Sequence, residues 1–188
     1  MDVRYTVGKN EYKRMTTQEL RDNFLVSLFE DGKLNLLYVE VERAVVGAAV
    51  PTSGALTLEA GKELASDYFC ERREIGVLNI GAAGTVTIDG TEYAMDNCDG
   101  LYIGRGSKEI AFSSADASDP ARFHIVSYPA HTEYPTTQAK KADANAINLG
   151  SDEECNKRTI YQYIHPNGIK SCQLVMGFTV LEPVSYTH

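Results

Sequence analysis

The stretch ERREIGVLNIGAAGTVTIDG, from Glu71 to Gly90, decides the fold. A strand-like run, Val77-Leu78-Asn79-Ile80, leads into the glycine-spaced turn Gly81-Ala82-Ala83-Gly84. A phosphate-binding glycine turn must feed a helix whose first amides meet the phosphate. Here the chain continues as Thr85-Val86-Thr87-Ile88, all β-branched, and no Gly-Lys-Ser/Thr comes after it. The turn therefore joins two strands. Asp89-Gly90, between that run and Thr91-Glu92-Tyr93, predicts a two-residue hairpin, because type I′ turns need positive φ at both central residues.

Outward from this hairpin the same pattern recurs. Leu34–Val41, Ala44–Val50, Leu56–Leu58, Glu74–Ile80, Gly100–Ile103, Glu109–Phe112 and Ala121–Ser127 are apolar or alternating runs separated by turn residues such as Pro51-Thr52-Ser53-Gly54. Short strands at regular spacing predict an all-β antiparallel sandwich or barrel rather than βαβ units. One short helix is expected near Thr16–Leu25, capped by Thr16 or Thr17, with Leu20 and Phe24 on one face.

The net charge of −8, with no clustered basic patch, argues against a nucleic-acid partner. No apolar run approaches a membrane span, and Met1-Asp2-Val3-Arg4-Tyr5 lacks a secretory core, so a soluble, cytoplasmic protein is expected. Cys70, Cys98, Cys155 and Cys172 form no close pair of the kind that presents two thiolates to one zinc ion. Reduced, mostly buried thiols are expected.

The opening stretch also resembles part of the pattern of the cupins, a β-barrel family with two short motifs. Glu74 and Gly81 are separated by six residues, as the tail of the first motif requires. The preceding ligand positions hold Asp67, Tyr68, Phe69 and Cys70, with no histidine. The counterpart of the second motif is Asp99–Glu109, with Lys108 or Glu109 where a histidine would stand. A cupin-type barrel or jelly roll without its metal site is the expectation, since a divalent metal needs several imidazoles or carboxylates converging on one point.

Longer segments narrow the resemblance. Asp67–Gly90, Asp99–Ser114, Pro120–Thr136, Lys157–Pro166 and Ser171–Pro183, with Met1–Tyr5 and Leu20–Val26, are similar to the 5-keto-4-deoxyuronate isomerase family. The likeness runs from residue 1 to about Pro183. It implies a ketol-isomerase acting on a uronate released by lyases from pectin-like or glycosaminoglycan chains, giving 3-deoxy-D-glycero-2,5-hexodiulosonate. It further implies a double cupin, a homo-oligomer (a hexamer in the family pattern), and one zinc ion per subunit. The family's zinc ligands lie in its second cupin, beyond the counterpart of Leu181-Glu182-Pro183. This chain reads Val184-Ser185-Tyr186-Thr187-His188 there, and Thr187-His188 is at most the remnant of a Thr-His ligand pair. No metal ligand carries over residue by residue, and none is expected in this chain.

The expected organisation is a metal-free cupin barrel over 1–138, a linker over 139–156 and the truncated start of a second cupin over 157–188. The apolar face of Cys172–Leu181 then needs cover, from an edge of the first barrel or from a second subunit, so a homo-oligomer is expected. Side chains with possible roles are His124 on a strand, His131 in the loop Pro129–Pro135, His165 in a His-Pro-Asn-Gly turn, and Arg72-Arg73-Glu74 as a carboxylate clamp or an ion-pair cluster. No general base can be named. The alternatives are a metal-free cupin acting in assembly or small-ligand binding, and a related bicupin sugar isomerase such as the deoxyglucuronate isomerase of inositol breakdown.

Overall fold

The computed structural model describes residues 1–183 and Ser185; Thr187 and His188, the possible ligand remnant, lie outside the described residues. Two sheets face each other. The larger runs in the order β1 (Asp2–Arg4), β2 (Leu34–Val39), β3 (Ala44–Ala49), β10 (Phe123–Pro129), β5 (Arg73–Asn79), β8 (Gly100–Ile103) and β11 (Thr137–Ala139). The smaller runs β4 (Leu56–Thr57), β9 (Ile110–Ser114), β6 (Gly84–Ile88) and β7 (Thr91–Met95). Every pairing in these two sheets is antiparallel except β1 with β2. The two ladders stay separate, so the expected jelly-roll architecture is an open sandwich and not a closed barrel.

The hairpin predicted at Asp89-Gly90 is present. Ile88 pairs with Thr91, and φ is +48° at Asp89 and +82° at Gly90, the combination a two-residue turn between right-twisted strands needs. Between the sheets, Ile75, Val77, Leu101, Ile103, Phe123 and Ile125 meet Val86, Ile88, Ile110 and Phe112, all essentially buried. Each such side chain contributes about 1.5–3 kcal/mol over exposure. Four of the five ion pairs among the described residues lie wholly at the surface, where the typical worth is about 0–1 kcal/mol. Apolar burial therefore holds the sandwich together.

The region expected as a linker, 139–156, is partly ordered sheet. It contains β12 (Asn145–Leu149), which pairs with β13 (Arg158–Ile164), itself paired with β14 (Met176–Leu181). This third sheet lies across the outer face of the larger one, not at its edge. Leu78 and Tyr102 of the larger sheet pack there with Tyr163, Ile164 and Leu174, and Met176 and Phe178 join them. Strand β5 is consequently buried at all seven positions, covered on both faces. Gly76 permits this close approach: a Cβ there would lie 2.6 Å from Leu174 Cδ2 and 2.8 Å from Met176 Sδ.

The helix α1 (Thr17–Phe24) is capped by Thr16, whose Oγ1 accepts from the Glu19 amide while the Glu19 carboxylate accepts from the Thr16 amide. It buries none of its residues, and Phe24 is 58% exposed. No helix among the described residues is long and apolar enough to cross a membrane.

Candidate functional site

Successive side chains of a strand point to opposite faces, so β5 separates Arg73 from Glu74. Ile75 and Val77 face the interior with Arg73, while Glu74, Gly76 and Leu78 face the C-terminal sheet. The expected Arg72-Arg73-Glu74 cluster is therefore not one cluster. Glu74, the residue that matches the cupin motif, points away from the interior. At the preceding motif positions, Phe69 and Cys70 are core residues, and burial pushes the Cys70 thiol far above its ordinary pKa. Lys108 and Glu109 donate their backbone amides to the Asp89 carboxylate at the surface. Among the described residues no three His, Cys, Asp or Glu side chains gather in one place. These residues do not fit a zinc ion.

Glu74 is wholly buried and fully engaged. Oε2 accepts from the Tyr102 hydroxyl and the Cys172 amide, both at 2.8 Å; Oε1 accepts from the amides of Gln173 at 2.7 Å and Leu174 at 2.9 Å. Burial and the bond to Glu74 raise the Tyr102 pKa, keeping its proton in place. A carboxylate accepting several such bonds is a strong, directional anchor. It fastens the segment before β14 to the sandwich.

Arg73 has the opposite surroundings. It is 6% exposed, and its guanidinium donates to Ser127 Oγ (3.1 Å), Ser127 O (2.9 Å) and Arg43 O (2.7 Å). All three acceptors are neutral. Burial, with a smaller contribution from the Arg43 charge, lowers its pKa to about 10. It lines a cavity of about 290 Å³ with Tyr38, Arg43, Glu63, Ser66 and Arg72 at one end of the sandwich. Arg72 fastens the rim by donating to the carbonyls of Leu64 and Ala65.

The sequence pattern defining the KduI/IolB family matches residues 24–186. The chain belongs to that family. Among curated KduI/IolB-type relatives, the 4-deoxy-L-threo-5-hexosulose-uronate ketol-isomerase of Caldicellulosiruptor bescii is 50% identical over 184 residues, covering 97% of this chain and 67% of the relative. The protein of the same name from Shouchella clausii is 52% identical over the same shares. The chain thus spans about two thirds of the length of these relatives. Solved structures similar to it include the cupin domain of Schizosaccharomyces pombe Cnp3 (13% identity, 56% of this chain and 69% of that one, TM-score 0.41). A cupin protein from Bacteroides fragilis is another (18% identity, 60% and 88%, TM-score 0.39).

The three histidines read from this KduI/IolB chain stand apart. His124 is half-buried on β10 beside Phe29, and burial lowers its pKa. His131 is exposed, and its carbonyl accepts from Arg105. His165 opens the expected turn, closed by the Gly168 amide on its carbonyl at 2.9 Å, and lines a second cavity of about 790 Å³ with Lys140, Asp143, Gln162 and Tyr163. All four cysteines are free thiols, but only Cys70 is buried, fewer than expected.

Two structural residues escaped the sequence reading. Asn79 ends β5 with its amide nitrogen donating to Ala82, Met95 and Asp96 carbonyls, and its oxygen accepting from the Gly81 and Arg122 amides. Asp99, 3% exposed, accepts from Lys140 Nζ (2.7 Å) and from the amides of Lys141 and Asp96. The available signal was a polar residue inside or beside an apolar run, which marks a buried hydrogen-bonding hub.

Proposed function

We propose that the protein is a ketol-isomerase that converts 5-keto-4-deoxyuronate to 3-deoxy-D-glycero-2,5-hexodiulosonate in the breakdown of pectin-like or glycosaminoglycan uronates. The observation carrying this reading is identity of about 50% over 97% of the chain to relatives bearing that activity's name. In such a reaction a base removes a proton from the carbon beside a carbonyl, the enediol forms, and the proton is delivered to the former carbonyl carbon, with no net redox change.

In this reading residues 1–138 are a scaffold unit without a metal, and the strands from 157 onward begin the second cupin. The family resemblance carries a zinc ion to that second unit and a homo-oligomeric assembly; the residues described here supply neither a zinc ligand set nor an identified base. The chemical contribution of this portion is a rigid frame to which the C-terminal segment is pinned through Glu74. The test is turnover of the unsaturated-uronate breakdown product, with zinc supplied and metal content measured in parallel. Conversion to the hexodiulosonate is the expected result. A folded protein, metal-loaded or not, that leaves this substrate unchanged would overturn the reading in favour of a metal-free cupin acting in assembly or ligand binding.

A further inference from the structure

We propose that the cavity at the Arg73 end of the sandwich binds a small carboxylate, held by Arg73 and Arg43. This does not depend on the isomerase reading. Three observations carry it. First, Arg73 is a buried cation with no acid beside it, an arrangement that ordinarily requires a counter-charge. Its three bonds use Nε and both hydrogens of Nη2; among the described residues Nη1 has no acceptor, which leaves its two N–H donors for a ligand. Second, the neighbouring cations add to the deficit of negative charge. Arg43 and Arg72 line the same cavity, and neither forms an ion pair among the described residues.

Third, the one acid on the cavity wall does not answer them. Glu63 makes no ion pair among the described residues, and its Oε2 is occluded without a hydrogen-bond partner, against Gly61: a Cβ on that glycine would lie 2.5 Å from it. The walls are also held in uncommon backbone conformations, with φ +52° at Arg43 and +46° at Ala65, of the kind that gather at ligand sites. A volume near 290 Å³ lies at the small end of small-molecule sites. A carboxylate oxygen can accept from the free Nη1 of Arg73, with Tyr38 and Arg43, both residues that carry side-chain donors, also on the wall.

The experiment is calorimetric titration of the protein with galacturonate, acetate, phosphate and the uncharged sugar galactose, followed by amide chemical-shift mapping. Galacturonate and acetate are expected to bind and to shift residues 63–66 and 72–73, with galactose silent. Arg73→Gln is expected to weaken binding roughly 10- to 100-fold, the scale of a lost charged hydrogen bond. Arg43 is exposed, so Arg43→Gln leaves the fold intact and decides the matter if Arg73→Gln fails to fold; a weakening of several-fold is expected. Unchanged binding in Arg43→Gln, shifts gathered away from this cavity, or phosphate binding tighter than both carboxylates would each overturn the proposal.

Discussion

Arg73 and Glu74 are neighbours in the chain and opposites in their surroundings. Glu74 has a donor for each lone-pair direction it uses, three of them backbone amides, and a segment of the chain depends on it for its position. Arg73 has only neutral acceptors, an Nη1 without any acceptor among the described residues, and a cavity in front of it. A buried charged group whose hydrogen-bonding capacity is filled within the protein is architecture; one with donors left over has capacity for something else. The contrast comes from the strand's period of two, which sends adjacent side chains to different layers.

The sharpest way to break this comparison is to remove the anchor. Glu74→Ala leaves three amides and a tyrosine hydroxyl without their acceptor, and a loss of about 3 kcal/mol or more is expected in urea unfolding. Hydrogen exchange at Cys172, Gln173 and Leu174 should rise in the same variant. Next comes the close approach beside it. Gly76→Ala forces Leu174 and Met176 aside and should cost about 1–3 kcal/mol. On the other face, Arg73→Met removes three bonds but also a buried uncompensated charge. These effects oppose each other, so a loss of about 1 kcal/mol or less is expected. A loss equal to that of Glu74→Ala would show that Arg73 is as structural as its neighbour.

Two smaller effects test regions outside β5. Burial raises the Asp99 pKa, but the bonds from Lys140 and from the Lys141 and Asp96 amides outweigh it, and the net folded value is lowered. A depressed folded pKa gives stability that is present above the unfolded value, about 3.9, and lost as pH falls through the folded one. Acid unfolding of Asp99→Asn should therefore show a shallower dependence on pH in that range than the parent. Smallest is Thr16→Ala, which removes the cap of a helix that buries none of its residues. Helicity of that segment should fall by the equivalent of about 1 kcal/mol, with the midpoint of global unfolding almost unmoved.

Much of the fold was legible because its signals are local. The Asp89-Gly90 turn, the alternation in Thr85–Ile88 and the Thr16 cap each depend on residues within a few positions of one another. Gly81–Gly84 reads correctly as a strand connection for the same reason: the next four residues, Thr85 to Ile88, are β-branched and favour a strand over a helix. The order in β12 was hidden because Asn145–Leu149 has no clean apolar-in, polar-out alternation, with Ala146 and Leu149 exposed beside Asn145 and Asn148, and because it pairs only with β13, beyond an intervening loop. The candidate site was only half visible. Arg72, Arg73 and Glu74 stand out as charges at the start of an apolar run, but their division between two faces depends on what covers each face.

The sequence by itself determined the antiparallel strand pattern, the hairpin, the helix cap and, through several long matching segments, the family. Those properties rest on backbone preference and side-chain period, which act within a few residues. Only the tertiary structure decided that Glu74 turns outward, that residues 172–174 come back to meet it across about 100 positions of chain, and that Arg73 faces a cavity with no acid to answer it. Which groups meet across such distances is settled by how whole layers pack, and the free energy of a buried charge is set by those distant groups rather than by its neighbours in sequence.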